Sequence, residues 1–332
     1  MATPQDPRVW IGLARARQKL QEKDKASEAA ANAETLTKSN EAVVGQGLAI
    51  YHSEGGRAEE ASRWADRVAP AISSYQHAAL RNLLGKALFA ADKADQAILE
   101  LEKGVSLNPY EESYRADLGN ALLRRQRFAE AVTSLEGSRK VFAASAQLEL
   151  MLGVAYYAQR RFADAVDSFL TVIRLTPDLQ QPHVFLNRML PQAESRIQEV
   201  TAALEGFGKR HQDNSLGLYL RARARIVQLP PTGYPAAAAE AEKMLFRAIE
   251  LSDTHGDSHL ELGLLLERKR EFAVAATHVE RAVALRPADS IAHYRLARLY
   301  DRLGQPDKAA AERAVHDKLT AFQPTLLEAV LK

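Results

Sequence analysis

The chain has 332 residues and no cysteine, which excludes disulfide staples, thiolate metal ligands and a cysteine nucleophile. Its 44 Lys and Arg against 42 Asp and Glu leave a net charge of +2, without the concentrated basic excess of a dedicated nucleic-acid binder. With 46% hydrophobic and 26% charged residues the usage is that of a folded chain, and no run reaches the roughly 18–20 consecutive apolar residues that membrane insertion needs.

Taken in chain order, the residues repeat. A first repeat at 7–40 carries Trp10, Leu13, Ala14, Ala26 and Ala30, and a second at 42–75 answers with Leu48, Ala49, Ala61 and Ala65. The next three, at 78–111, 112–145 and 146–179, keep the strictest spacing. Leu84-Gly85, Leu118-Gly119 and Leu152-Gly153 recur every 34 residues. Ala97, Ala131 and Ala165 lie 12 residues after each Gly, and Leu101, Leu135 and Phe169 lie 16 after. Pro109 and Pro177 close two of these repeats. The sixth, a degenerate one at 180–213, keeps Leu186 but has Asn187 and Glu199 where small residues stand elsewhere, and Pro191 should shorten its first helix. The seventh, at 214–254, holds an insertion at 230–235 before Ala241 and Ala248 regain the frame. A bulge or a change of curvature is therefore expected over 180–235. The eighth, at 256–289, has Leu262-Gly263, Ala275, Val279 and Pro287, and the ninth, at 290–323, has Leu296-Ala297 and Ala309. Residues 324–332 read as a final capping helix over the last open face.

Each repeat predicts two helices. Leu148, Leu152 and Tyr156 form one helical stripe, and Phe162, Ala165, Val166, Phe169 and Ile173 form a second. Only Ala158 to Arg161 separate them, so the two helices are antiparallel neighbours. Small residues at Gly153 and Ala165 permit a close crossing, and Pro177 ends the second helix.

Trp10-x2-Leu13-Ala14 and Leu152-Gly153-x2-Tyr156, followed by Ala165 and Phe169, resemble the signature of the tetratricopeptide repeat family. The resemblance covers nearly the whole chain. It implies an all-α fold, an α-solenoid of antiparallel helix pairs wound as a right-handed superhelix. Pro4 precedes Leu13 by nine residues, as Pro109 precedes Leu118, so it occupies the closing position of a repeat further upstream. The expectation is a fragment or processed form of a longer protein. Residues 1–9 lack the apolar core of a signal peptide.

Catalytic motifs are nearly absent. Gly45-Gln-Gly47 is superficially similar to a dinucleotide-binding turn, but it lacks the last Gly and falls inside a predicted helix. His255, Asp257 and His259 cluster before the eighth repeat. Their spacing fits a capping Asp with solvated histidines better than a metal set. No metal, no cofactor and no enzymatic activity are expected.

By the same resemblance, first-helix side chains line a concave, peptide-holding groove. One series of positions gives Arg15, Ile50, Lys86, Asn120, Val154, Arg188, Arg225, Leu264 and Arg298. Others add Asn82, Leu150, Arg221 and Tyr294, and then Phe89, Leu123 and Tyr157. The groove is mixed in its middle and basic around Arg188, Arg221 and Arg225, which suits a partner carrying carboxylates. The plainer alternative is a solvated charged face. Family members that clamp a terminal carboxylate use Lys and Asn at set positions in three consecutive repeats. Here Asn82 and Lys86 are followed by Asp117 and then by Gln147 and Met151, so that clamp is missing.

Two functions follow. One is a protein–protein interaction scaffold that binds a protein or peptide, with or without acidic segments, in the groove. The other is a structural spacer within a longer chain, with no specific groove ligand. Neither predicts nucleic-acid binding or membrane insertion. The abundance of Ala and Arg points to a bacterial source. The compartment stays open between the cytoplasm and, if a signal peptide was removed, the periplasm or the exterior, and so does the oligomeric state.

Overall fold

A computed structural model describes residues 5–39 and 41–321. The capping helix expected at 324–332 and the closing Pro4 lie outside the described residues. Two compact halves, Met1–Ala155 and Tyr156–Lys332, divide the chain. The first half holds α1 (Pro7–Lys19), α2 (Lys23–Thr35), α3 (Glu41–Glu54), α4 (Ala58–Val68), α5 (Ser74–Ala90), α6 (Ala94–Leu107), α7 (Glu112–Arg124) and α8 (Phe128–Arg139). The division falls within α9 (Ala146–Ala158). The second half continues with α10 (Phe162–Leu175), α11 (Gln180–Arg188), α12 (Ile197–Arg210), α13 (Ser215–Ile226) and α14 (Ala236–Leu251). It ends, among the described residues, with α15 (Gly256–Arg268), α16 (Phe272–Leu285), α17 (Ser290–Arg302) and α18 (Pro306–Ala321). No described residue is in a strand. The architecture is an all-α solenoid of helix pairs.

One backbone turn joins the two helices of seven pairs. Gln21, Gly56, Asp92, Gln126, Arg160, Arg270 and Gly304 all have φ between 58° and 70°. Around Gln126, the Arg127 N–H donates to the Leu122 carbonyl at 2.9 Å and the Gln126 N–H to the Leu123 carbonyl at 2.9 Å. The same two bonds recur around Asp92, Arg160, Arg270 and Gly304. This left-handed cap satisfies carbonyls that the ending helix would otherwise leave open, and it reverses the chain within two residues. The second helices end differently. Asn108, Thr176 and Arg286 each precede a proline and share φ near −138° and ψ near 77°. Clash with the proline ring excludes the helical region at that position.

The crossings inside each pair need small residues. A Cβ on Gly85 would lie 2.5 Å from Leu101 and 2.9 Å from the Ala97 carbonyl oxygen. A Cβ on Gly119 would lie 2.9 Å from Leu135. Ala97, Leu101, Ala131 and Leu135 are correspondingly buried, as are Ala275 and Val279 beside Gly263. Gly45 has the same role against Val68 on α4, whereas Gly47 meets Ile11 on α1, where one pair packs on the next.

The first half also buries a charge. Arg81 on α5 is 1% exposed and donates to Glu100 on α6 at 2.6 Å, to Asp66 on α4, and to His77 at 3.0 Å. Lys103 donates to the other Glu100 oxygen at 2.8 Å. Burial alone would raise the Glu100 pKa, but hydrogen bonds from Lys103 and Arg81 outweigh it and hold the carboxyl below its usual range.

Gln126→Gly should stabilise the chain by about 1 kcal/mol in urea unfolding, because glycine enters the left-handed region without a Cβ clash. Gly304→Gln should cost a similar amount. Glu100→Leu should destabilise by about 3 kcal/mol by leaving the buried Arg81 guanidinium with only the exposed Asp66 as its carboxylate, and adding Arg81→Leu should recover most of that loss.

Candidate functional site

The degenerate sixth repeat and the seventh are the two without the left-handed turn. Their departure shapes a cleft. Pro191 sits in a short 3-10 turn just beyond α11, which is only nine residues long. The insertion at 230–235 separates α13 from α14 and is tied to α15. Arg268 donates from Nη2 to the Pro230 carbonyl at 2.6 Å and to the Gly233 carbonyl at 3.1 Å. At the insertion's other end Tyr234 donates to Glu242 on α14.

Between these features a cleft of about 760 Å³ opens on the first helices α11, α13, α15 and α17. Its floor is charged and internally paired. Arg223 on α13 donates to Glu261 on α15 at 2.9 Å, with side chains 19% and 13% exposed. Burial pushes the Glu261 carboxyl up, while Arg223 pulls against it. Burial would lower the Arg223 pKa, but Glu261 and Tyr219 raise it overall. Tyr219 accepts from Asn187 on α11 at 3.2 Å and meets His255 edge-on at 4.8 Å. Burial raises the Tyr219 phenol above its usual range.

The geometry corrects the register expected for α13. Arg221 and Arg225 do not face the first helices. Arg221 lies 3.9 Å from Glu205 on α12, and Arg225 reaches both Glu205 and Glu240 on α14. The inward arginine is Arg223, one turn from Tyr219. Two residues along a helix is a rotation of about 200°, so a two-residue slip reverses the face. Tyr219, Arg223, Glu261, Arg268 and Arg295 line the cleft without being among the groove residues expected from the sequence. Arg221, Arg223 and Arg225 alternate with alanines, and no apolar stripe distinguishes among them.

Other expected groove residues divide between the halves. In the first half Arg15 pairs with Glu54 at 2.5 Å, Lys86 lies 3.4 Å from Asp117, and Arg124 covers the Phe89 ring at 5.1 Å. Asn120 is exposed. Asn82 and Leu123 are buried rather than open to a groove, Asn82 because α6 approaches its backbone through Gly104. In the second half Tyr157 is likewise buried, edge-on to Phe162 and Phe185. Arg188 and Leu264 line the cleft. Tyr294 contacts Arg298 and His316, and Arg298 lies 3.6 Å from Glu267.

The histidine cluster differs from the expectation. Asp257 pairs with Arg286 instead of capping α15, and His259 is buried against His278 with Nδ1 atoms 3.2 Å apart. Among the described residues no group of three or more His, Asp or Glu is arranged to hold a metal. No described helix is long and apolar enough to cross a membrane.

Helix pairs of this length, joined by such turns and crossing at small residues, define a helical-repeat protein, a class whose stacked repeats present extended binding surfaces. Residues 116–179 and 260–324 match the tetratricopeptide repeat family. A tetratricopeptide repeat protein from Parabacteroides merdae ATCC 43184 has a similar crystal structure, with a TM-score of 0.57 and 11% identity over 78% of this chain and 97% of that one. The APC/C hetero-tetramer Cut9–Hcn1 gives a TM-score of 0.53 and 14% identity over 93% of this chain and 60% of its own. At such identities the likeness is one of fold. No curated protein sequence matches. Residues 116–179 and 260–324 are therefore tetratricopeptide repeats, and the fold of the described residues is that of solved tetratricopeptide repeat structures.

Helix α11 carries a pH-sensitive support for the cleft. His183 is fully buried, stacks on Phe207 at 4.4 Å, and holds the Leu179 carbonyl with Nδ1 at 2.9 Å. Burial pushes its pKa down to about 4 from 6.5. The unfolded chain therefore binds the extra proton first, and the neutral ring's contribution is complete above about pH 6.5 and is lost as pH falls toward 4. Urea midpoints should fall between pH 7 and 4.5. His183→Gln should make that fall shallower, with the rest kept by His52, also pushed down to about 4.

Proposed function

We propose that this chain is a non-enzymatic scaffold that binds an extended segment of a partner protein across the first helices of its second half. The cleft of about 760 Å³ shared by α11, α13, α15 and α17 carries the reading. Its size suits several side chains of an extended segment. Leu260, Leu264 and Ile291 give it apolar surface, and Ile291 is 60% exposed. Four consecutive first helices supply its walls, so a segment lying along them would touch several repeats at once.

The spacer reading is favoured for the first half. There the expected groove charges are satisfied internally, Arg15 by Glu54 and Lys86 by Asp117. Self-paired charges offer little to a ligand, because each would have to be separated before a new pair forms. Binding in the second half and spacing in the first are compatible roles for one chain.

A photo-crosslinking amino acid at Ile291, in the cleft, should capture a discrete partner from lysate of the source cells. The same group at Val274, exposed on the second helix α16, should not. Capture from Val274 alone, or from neither position, would sink the groove reading.

A further inference from the structure

The cleft does not balance its own charges. Its lining holds five arginines and four carboxylates. Every carboxylate already has a cation. Glu261 is paired with Arg223 at 2.9 Å. Asp257 and Asp289 share Arg286, the latter at 2.6 Å. Glu267 lies 3.6 Å from Arg298 and 3.5 Å from Arg302. Among the described residues Arg188, Arg268 and Arg295 form no close ion pair, and Arg295 acts on Glu261 only through longer-range attraction.

These three differ in how they are held. Arg268 is locked by the carbonyls of the insertion, which brings Pro231 into the cleft wall. Arg295 is half-buried, and its Nε is shielded from solvent without a hydrogen-bond partner. Arg188 is exposed and is shared with a neighbouring depression of about 530 Å³ against Val184 and Phe185. A guanidinium stays charged at every physiological pH, and leaving its donors dry and unmatched is unfavourable.

We infer that this cleft is a carboxylate-recognising site, and that it takes an extended partner segment in which an Asp or Glu side chain lies beside an apolar one. A planar carboxylate matches the guanidinium fork with two parallel hydrogen bonds. Leu260, Leu264 and Ile291 take the neighbouring apolar side chain. With Arg268 held by the insertion's carbonyls, Arg188 and Arg295 are the arginines that remain for the acid. This rests on the groove reading and adds the chemistry of its ligand.

A randomised 12-residue phage-displayed peptide library, panned against the full chain, tests it. The selected peptides should share an Asp or Glu next to a Leu, Ile, Val or Phe. Changing that acid to its amide should weaken binding at least tenfold. Arg188→Met with Arg295→Met should abolish the acidic preference while circular dichroism stays unchanged. Arg174→Met, which removes an exposed charge on α10 outside the cleft, should leave it intact. A consensus without an acid, or an acidic preference that survives Arg188→Met with Arg295→Met, overturns the carboxylate site and leaves groove binding standing. No enriched peptide at all overturns both.

Discussion

The architecture depends on how closely two helices of one pair can cross. At Gly85, Gly119 and Gly263 the first helix presents no side chain, and the second helix lays a large apolar residue into that space. The left-handed turn enforces the same closeness from the end of the pair, because it reverses the chain too quickly for the helices to splay. Crossing and turn together make each pair a rigid piece. Its remaining apolar stripe is then free to cover the next pair, which is why one short repeat can be copied along a chain.

Where both devices are present, charges on the first helices find partners within the array. Where the turn is missing, around α11 and α13, the packing changes. Helix α13 lies close against α12, with Gly208 meeting the Arg221 stem and Gly217 meeting the His211 backbone. That approach directs Arg221 and Arg225 toward α12 and α14 and brings Arg223 to the cleft. The irregular repeats are thus the ones that open a site. A regular array offers one surface repeated, whereas a break in regularity gives a particular place its own shape and charge.

Much of the fold was legible residue by residue. Leu-Gly pairs at a constant interval marked the crossings, and Pro109, Pro177 and Pro287 marked where second helices end. Most of the left-handed residues were not legible, since Gln21, Gln126, Arg160 and Arg270 are not types that announce a positive φ. The buried Arg81 was equally hidden. Its burial follows from Glu100 and Asp66 arriving from neighbouring helices, and its own helix carries no sign of them.

Periodicity is a local property, so the sequence alone determined the helix pairs, their spacing and the positions where regularity fails. Which way a side chain faces is decided by rotation about a helix, and rotation is set by the helices packed on either side. An error of two residues was enough to exchange Arg223 for Arg221 and Arg225, because three arginines alternate with alanines there and none is marked by an apolar stripe. The cleft and its unmatched arginines belong to the tertiary structure for the same reason. They exist only where α11, α13, α15 and α17 converge, and nothing in any one of those segments records the others.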